Sequence, residues 1–108
     1  MLMILTVGTG TAAPLGNLPQ GLVTTLRQGR PRFFWLVPSC SEDSLLVADL
    51  VREQVATEFT EGEYPSDSEG KWCISEPDDL FLCRDHIRKT IQSAQRFAEP
   101  GEDIIINP

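Results

Sequence analysis

The chain has little positive charge. Nine Lys and Arg residues stand against sixteen Asp and Glu residues, which gives a formal net charge of −7 over 108 residues. Proteins that bind DNA or RNA without sequence preference need a basic surface, because contacts to the phosphate backbone supply most of that affinity. We therefore expect no direct binding of duplex DNA or RNA, and a nucleotide ligand would have to be held by local contacts.

Cysteine motifs are also absent. Cys40, Cys73 and Cys83 lie far apart in the sequence, and the chain contains no C-x-x-C pair. This spacing matches neither a zinc site nor a thioredoxin-like redox motif. Cysteines outside such motifs are most often small buried side chains in a reducing compartment. We therefore predict reduced cysteines in the core, a cytoplasmic location and no metal or other cofactor.

The chain has no hydrophobic run long enough for a membrane. The N-terminal stretch MLMILTV is apolar, but no basic residue precedes it as in a secretory signal peptide. No stretch approaches the roughly 20 apolar residues of a membrane span. The stretch is better explained as a buried first strand, and we expect no membrane partner.

Side chains suited to catalysis are sparse. His86 is the only histidine and has no paired nucleophile, so we predict a surface or boundary position for it. Asp78 and Asp79 come at the start of a predicted helix, where acidic residues favour the helix dipole. A phosphoacceptor receiver domain needs acids just after the first strand, and residues 8–13 contain none. The sequence therefore predicts no catalytic residue.

The hydrophobic pattern of the chain alternates between segments typical of strands and segments typical of helices. Apolar runs at 2–7, 32–37, 71–75 and 103–107 predict strands, and amphipathic stretches at 18–28, 42–56 and 78–97 predict helices. Residues 57–70 carry five acids and no Lys or Arg, which predicts a solvated loop or an irregular insertion. The order β-α-β-α-β-α-β indicates a mainly parallel sheet with right-handed crossovers. We predict a Rossmann-like three-layer α/β domain that occupies residues 1–108.

The last predicted strand stops directly before Pro108. No predicted helix remains to cover that end of the sheet, and its apolar residues would stay exposed. We therefore expect the chain to be the front part of a longer protein, or a shortened copy of one.

A loop rich in small residues, TVGTGTAAPLGN, follows the first strand. Gly8, Gly10 and Ala13 have the G-x-G-x-x-A spacing of a dinucleotide-binding turn. That turn requires a helix that begins inside the motif, whereas Pro14 and Gly16 delay the predicted helix to Leu18. A dinucleotide site also needs an acid at the end of the second strand for the ribose hydroxyls, and only Glu42 or Asp43, at the start of the next helix, loosely fits. The dinucleotide interpretation is therefore weak.

Two other interpretations of this loop stay open. Thr9, Thr11 and neighbouring backbone N–H groups are neutral donors that suit the phosphate oxygens of an extended ligand. Alternatively, the glycines only avoid steric conflict in an ordinary βα loop.

Four stretches in series resemble the CRISPR-associated Rossmann-fold (CARF) domain, namely ILTVGTGT, RFFWLVPSCSEDS, ISEPDDL and EDIIINP. Together they span essentially the whole chain. The resemblance implies a homodimer that binds cyclic oligoadenylate, a ring of adenosines made in type III CRISPR antiviral defence. It further implies control of an attached effector, often a HEPN-class ribonuclease, which this chain does not contain. Some family members also cut the ring, and the sequence does not separate cutting from sensing.

The resemblance assigns ligand binding to the loops that follow the strands. The first loop contributes Gly8, Thr9, Gly10, Thr11 and its closing residue Asn17, the loop after the second strand Ser39 and Ser41, and the last strand Asn107. The family usually continues with a Gly-Thr-Lys-like segment, before which this chain ends. Two alternatives remain: the nucleotide- or dinucleotide-binding half of a Rossmann-fold enzyme, and a fragment with a purely structural role.

Overall fold

The computed structural model describes residues 1–7, 17–64, 73–74 and 78–107. Its elements in chain order are β1 (Leu2–Val7), α1 (Asn17–Gly29), β2 (Phe33–Pro38), α2 (Glu42–Val55), α3 (Leu80–Phe97) and β3 (Ile104–Asn107). The strands form a parallel sheet in the order β2-β1-β3. The predicted α/β class, the parallel sheet and the three helices are confirmed.

The strand predicted at 71–75 lies largely outside the described residues. Within them, Ile74 forms an isolated parallel bridge with Ser39 at the end of β2. Since β2 is the outermost strand of the described sheet, Ile74 lies on the side of β2 away from β1. The structure therefore describes three named strands and this bridge where the sequence predicted four strands.

Both faces of the sheet are buried, which explains why its strands are apolar without alternation. Successive side chains of a strand point to opposite faces. On one face, Met3 and Leu5 of β1 and Phe34 of β2 pack against α1 and α2. On the other face, Ile4 and Trp35 pack with residues of α3. The result is three layers, with a core on each side of the sheet.

Side-chain caps set where α2 and α3 begin. Ser41 precedes α2, and its hydroxyl oxygen accepts the backbone N–H of Ser44 at 3.3 Å. Asp79 precedes α3, and one of its carboxylate oxygens accepts the N–H groups of Phe81 and Leu82. Each cap satisfies N–H groups that have no partner inside the helix. Asp79 is thus the helix cap, whereas the sequence predicted it within the first turn as a partner of the helix dipole.

Residues 60–64 cover the outer edge of β2. The N–H of Phe34 donates to the Thr60 carbonyl at 3.1 Å, and the N–H of Gly62 donates back to the Phe34 carbonyl at 2.9 Å. The indole N–H of Trp35 donates to the Glu63 carbonyl. Of the two predictions for this stretch, a solvated loop or an irregular insertion, residues 60–64 fit the second: Thr60 and Glu63 are exposed, and the unpaired backbone of the edge strand binds the segment despite its acidic composition.

An ion-paired cluster lies at the amino ends of the strands. The carboxylate of Glu102 accepts the Arg32 guanidinium at 2.6 and 3.0 Å and the Met1 amino group at 3.0 Å. It also accepts the backbone N–H of Glu99. The hydrogen bonds from Arg32, then those from Glu99 and the amino terminus, hold the pKa of Glu102 far below its usual range.

Candidate functional site

The carboxyl ends of the strands lie along one edge of the sheet because all three strands run in the same direction. The β1 end is Val7, the β2 end is Pro38 and the β3 end is Asn107. In parallel α/β sheets, ligands bind just outside this edge. We call the region formed by Val7, Ser39, Ser41, Ser44 and Asn107 the carboxyl-edge site.

Three serines after β2 form a hydrogen-bonded cluster. The N–H of Ser39 donates to the Ser44 hydroxyl oxygen at 3.0 Å, and that hydroxyl donates to the Val7 carbonyl at 3.1 Å. Ser44 is fully buried, with 0% of its surface exposed. It therefore ties the end of β1 to the loop after β2. Sequence reasoning missed Ser44, although its position three residues after the helix cap Ser41 was a signal.

Ser39 and Ser41 are brought together, as the sequence analysis expected of one site. Their hydroxyl oxygens lie 3.0 Å apart. A serine hydroxyl carries one hydrogen and can accept two bonds. The bond between the two hydroxyls uses one of their two hydrogens, and the other can be donated to an oxygen of a ligand. Ser41 is exposed, whereas Ser39 is buried.

Asn107 lies at the same edge on the other side of β1. It pairs with Leu5 in the sheet, and its backbone carbonyl accepts the Thr6 hydroxyl at 3.4 Å. Strands β2 and β3 are separated by β1, so Ser39 and Asn107 lie about two strand spacings apart, roughly 10 Å. A ligand that contacts both residues must span that distance.

The first predicted binding loop lies outside the described residues, and Gly8, Thr9, Gly10 and Thr11 belong to it. Asn17 is described as the first residue of α1. The G-x-G-x-x-A spacing ends at Ala13, so the sequence argument against a dinucleotide turn concerns residues outside the described part of the chain.

The described part of this edge carries no basic side chain. Residues 39–44, 78–80 and 107 include four acidic residues and no Lys or Arg. The donors that a phosphate could meet there are hydroxyl groups and the N–H groups at helix starts. Among the described residues, no group of three or more His, Cys, Asp or Glu side chains could hold a metal ion.

Cys40 and Cys73 form a disulfide bond, with their Cα atoms 5.1 Å apart. The prediction that the cysteines are reduced is therefore wrong for this pair. The two residues are 33 positions apart in the sequence and become neighbours only because Ile74 pairs with Ser39 beside β2. No spacing rule reveals such a tertiary contact. Cys83 lies half-buried on α3.

A shallow apolar groove runs along α3. It has a volume of about 710 Å³ and is lined by Leu80, Cys83, Ile87 and Ile91, with Arg84 and Arg88 among its polar residues. Beside it, Leu80 and Phe81 are 81% and 84% exposed. Ile105 and Ile106 of β3 are each 44% exposed.

His86 lies on α3 and is half-buried, which agrees with the surface or boundary position predicted for it.

Comparison with known proteins gives no relative. No protein-family model, no curated protein and no solved structure matches the chain. In the described part of the chain, none of the helices is long and apolar enough to cross a membrane.

Proposed function

We propose that this chain is a ligand-sensing regulatory domain that binds cyclic oligoadenylate at the carboxyl-edge site, as the CARF resemblance implies. One observation supports the proposal most. The Ser39–Ser41 hydroxyl pair and Asn107 lie on one edge of a parallel sheet, on either side of β1. Such an arrangement suits a ligand with several phosphates better than a single mononucleotide.

The chemistry of the edge supports neutral recognition of phosphate. Each phosphate oxygen accepts hydrogen bonds, and the exposed Ser41 hydroxyl lies directly before the N-terminus of α2. Thr9 and Thr11 would add two hydroxyls from the first loop. The described residues of this edge include no Lys or Arg, and a bond from a neutral hydroxyl is weaker than a charge-assisted one. We therefore expect modest affinity from this chain alone.

The wider role follows from the same resemblance. The domain would act in the cytoplasm in type III CRISPR antiviral defence and would control an effector, of which a HEPN ribonuclease is the leading candidate. A second copy of the chain is the expected partner. The exposed apolar residues of α3 and β3 would supply contact area for it. Sedimentation should therefore show self-association, and a monomer at high concentration would count against the dimer.

Calorimetry tests the ligand. We expect cyclic tetra- or hexa-adenylate to bind the chain more tightly than NAD or ATP does. Ser39→Ala should weaken that binding by about 0.5–1.5 kcal/mol, because the exposed Ser41 hydroxyl loses the hydrogen-bond partner that orients it. Thr25→Val is the matched control, because the Thr25 hydroxyl bonds within α1 to the Gly21 carbonyl, away from the edge.

The outcomes distinguish the two candidate functions. Tighter binding of NAD than of the cyclic ligands would favour the dinucleotide-binding half of an enzyme. Equal loss in Ser39→Ala and Thr25→Val would remove the carboxyl-edge site from the proposal. Cleavage of the ring during the titration would add the cutting activity to the sensing one.

A further inference from the structure

We propose that Cys40 and Cys73 are a reversible thiol–disulfide modification site that controls the geometry of the serine loop, here defined as Pro38–Ser41. The partner chemistry is that of a small thiol, such as glutathione, and its disulfide. The proposal is carried by contacts of the described residues, and it holds whatever ligand the carboxyl-edge site binds.

The disulfide lies inside the candidate site. Cys40 is the residue between Ser39 and Ser41, whose hydroxyls are in contact. Both cysteines of the bond are only partly buried. A small thiol therefore has access to the sulfur atoms, which a disulfide in the core would not allow. Reaction at this bond takes place next to both serines.

Few described contacts besides the disulfide join the serine loop to the segment at Ile74. The N–H of Cys40 donates to the Ile74 carbonyl at 2.8 Å, and the N–H of Ile74 donates to the Pro38 carbonyl at 2.9 Å. Ile74 also packs, half-buried, against the core on the α3 side. Two backbone bonds at half-buried residues open more readily when no crosslink holds the two segments together.

The remainder of the β2 edge has its own contacts. Phe34 is bonded to Thr60 and Gly62, and the N–H of Leu36 donates to the Tyr64 hydroxyl. On the other side, Ser44 bonds to Val7. None of these bonds involves a cysteine. Ser39 and Ser41 are also bonded to Ser44. Loss of the disulfide should therefore loosen Cys40 and Ile74 while the ends of the serine loop and the sheet stay folded.

The reaction balances as a two-step exchange. A thiolate of the small thiol attacks one sulfur of the Cys40–Cys73 bond, which gives a mixed disulfide and releases the other cysteine as a thiolate. A second small thiolate then attacks the sulfur of the small molecule in the mixed disulfide. The protein gains two electrons, both cysteines become thiols after protonation by water, and the small disulfide leaves. Oxidised glutathione reverses the sequence.

Amide hydrogen exchange read residue by residue tests the proposal, with Cys83→Ser as the background so that only the pair carries thiols. In the oxidised protein, an alkylating reagent should label neither cysteine, and after treatment with glutathione it should label both. Exchange of the Cys40 and Ile74 amides should rise about tenfold on reduction, while the Phe34 and Gly62 amides stay within about twofold. Oxidised glutathione should restore the slow exchange.

A second variant separates control from simple loss of structure. Cys40→Ser combined with Cys73→Ser should exchange like the reduced protein under both conditions, and its circular dichroism should match that of the oxidised protein. Labelling of both cysteines without reductant would overturn the proposal, as would unchanged exchange at Cys40 and Ile74 after reduction. A rise at Phe34 and Gly62 equal to that at Cys40 would also overturn it, because the bond would then stabilise the whole domain.

Discussion

The hydroxyl of Tyr64 accepts the backbone N–H of Leu36 at 2.9 Å, so a side chain takes the place that a strand carbonyl would have beside β2. The same hydroxyl donates to the carboxylate of Glu61, which also accepts the Arg52 guanidinium at 2.7–2.9 Å. Burial, reinforced by the neighbouring Glu61 charge, raises the pKa of Tyr64. The phenol therefore stays protonated and keeps both of its hydrogen-bonding roles.

Replacing Tyr64 by Phe should expose what this hydroxyl contributes. The change leaves the Leu36 N–H without its acceptor and removes the donor to Glu61. We expect the free energy of unfolding to fall by about 1–3 kcal/mol, as for other buried groups that lose a partner. Urea denaturation measures it. The Thr25 hydroxyl makes an exposed hydrogen bond to the Gly21 carbonyl of its own helix, so Thr25→Val should change stability by less than about 0.5 kcal/mol. An equal loss in both variants would contradict the assignment.

Gly62→Ala tests the close approach of residues 60–64 to β2. A Cβ atom at position 62 would lie 2.1 Å from Trp35 Cζ2, a distance at which one of the two must move. Since Trp35 is fully buried, we expect a loss of about 1–3 kcal/mol in unfolding free energy.

The chain offers a matched control for that variant. A Cβ atom at Gly21, inside α1, meets nothing within 4 Å. Gly21→Ala should raise the unfolding free energy by up to about 1 kcal/mol through helix propensity. The two variants should thus change the urea midpoint in opposite directions. A midpoint shift of the same sign in both variants would show that the contact with Trp35 does not determine the effect of Gly62→Ala on stability.

Ser44→Ala should destabilise the carboxyl-edge site by removing buried hydrogen bonds. It removes the acceptor of the Ser39 N–H and the donor to the Val7 carbonyl, both in buried surroundings. The expected cost is about 1–3 kcal/mol of unfolding free energy. Thermal unfolding followed by circular dichroism measures it. Ser44→Thr, which keeps a hydroxyl, should recover part of the loss, and a Thr variant no better than Ala would count against the hydrogen bonds as the cause.

The Glu102 cluster gives a pH dependence with a definite sign. Because the folded-state pKa of Glu102 is lowered from 4.5, its contribution to stability is complete above the unfolded-state pKa. That contribution is lost as the pH falls towards the folded-state pKa. The stability difference between the natural chain and Glu102→Gln should therefore be largest near neutral pH and shrink below about pH 4.5.

Urea denaturation at a series of pH values from neutral to acidic measures this difference. Glu53→Gln is the matched control, since Glu53 lies exposed on α2 and is replaced by the same uncharged side chain. A Glu102→Gln difference that stays constant with pH would mean that the Arg32 contact does not depend on the Glu102 charge.

Threonines of the first loop carry the prediction that depends most directly on the proposed function. We expect Thr9→Val and Thr11→Val each to weaken binding of the cyclic ligand by roughly 1–3 kcal/mol, because phosphate oxygens lose their donors. Calorimetry with cyclic tetra- and hexa-adenylate gives the values. Undiminished affinity in both valine variants would contradict the assignment of this loop.

Local pattern was sufficient for the helices and for the strands that form the sheet. The predicted ranges 18–28, 42–56 and 78–97 agree closely with α1, α2 and α3, because amphipathic periodicity and caps such as Asp79 are local signals. The continuous apolar runs of β1 and β2 likewise follow from burial on both faces. The predicted second strand, 32–37, is displaced by one residue from the observed β2.

Features that depend on tertiary pairing could not be predicted in this way. Tyr64 meets Leu36 across 28 positions of sequence, and Cys40 meets Cys73 across 33. Neither pairing produces a repeating pattern of residues in the sequence. The acidic residues around Tyr64 instead indicated a segment exposed to solvent. Ser39 and Ser41, which the sequence assigned to one loop, lie close together because two residues in one short loop are close whatever the fold.

The two outer edges of the sheet differ, and this limits how copies of the chain can associate. Residues 60–64 and Ile74 pair with the side of β2 that faces away from β1. No described residue pairs with the outer side of β3. Continued edge-to-edge growth requires two open edges per molecule. A sheet with one open edge can join a second copy through β3, and that step uses up the edge. Among the described residues, β3 is therefore the strand through which we expect two copies to pair, because the outer side of β2 is already occupied.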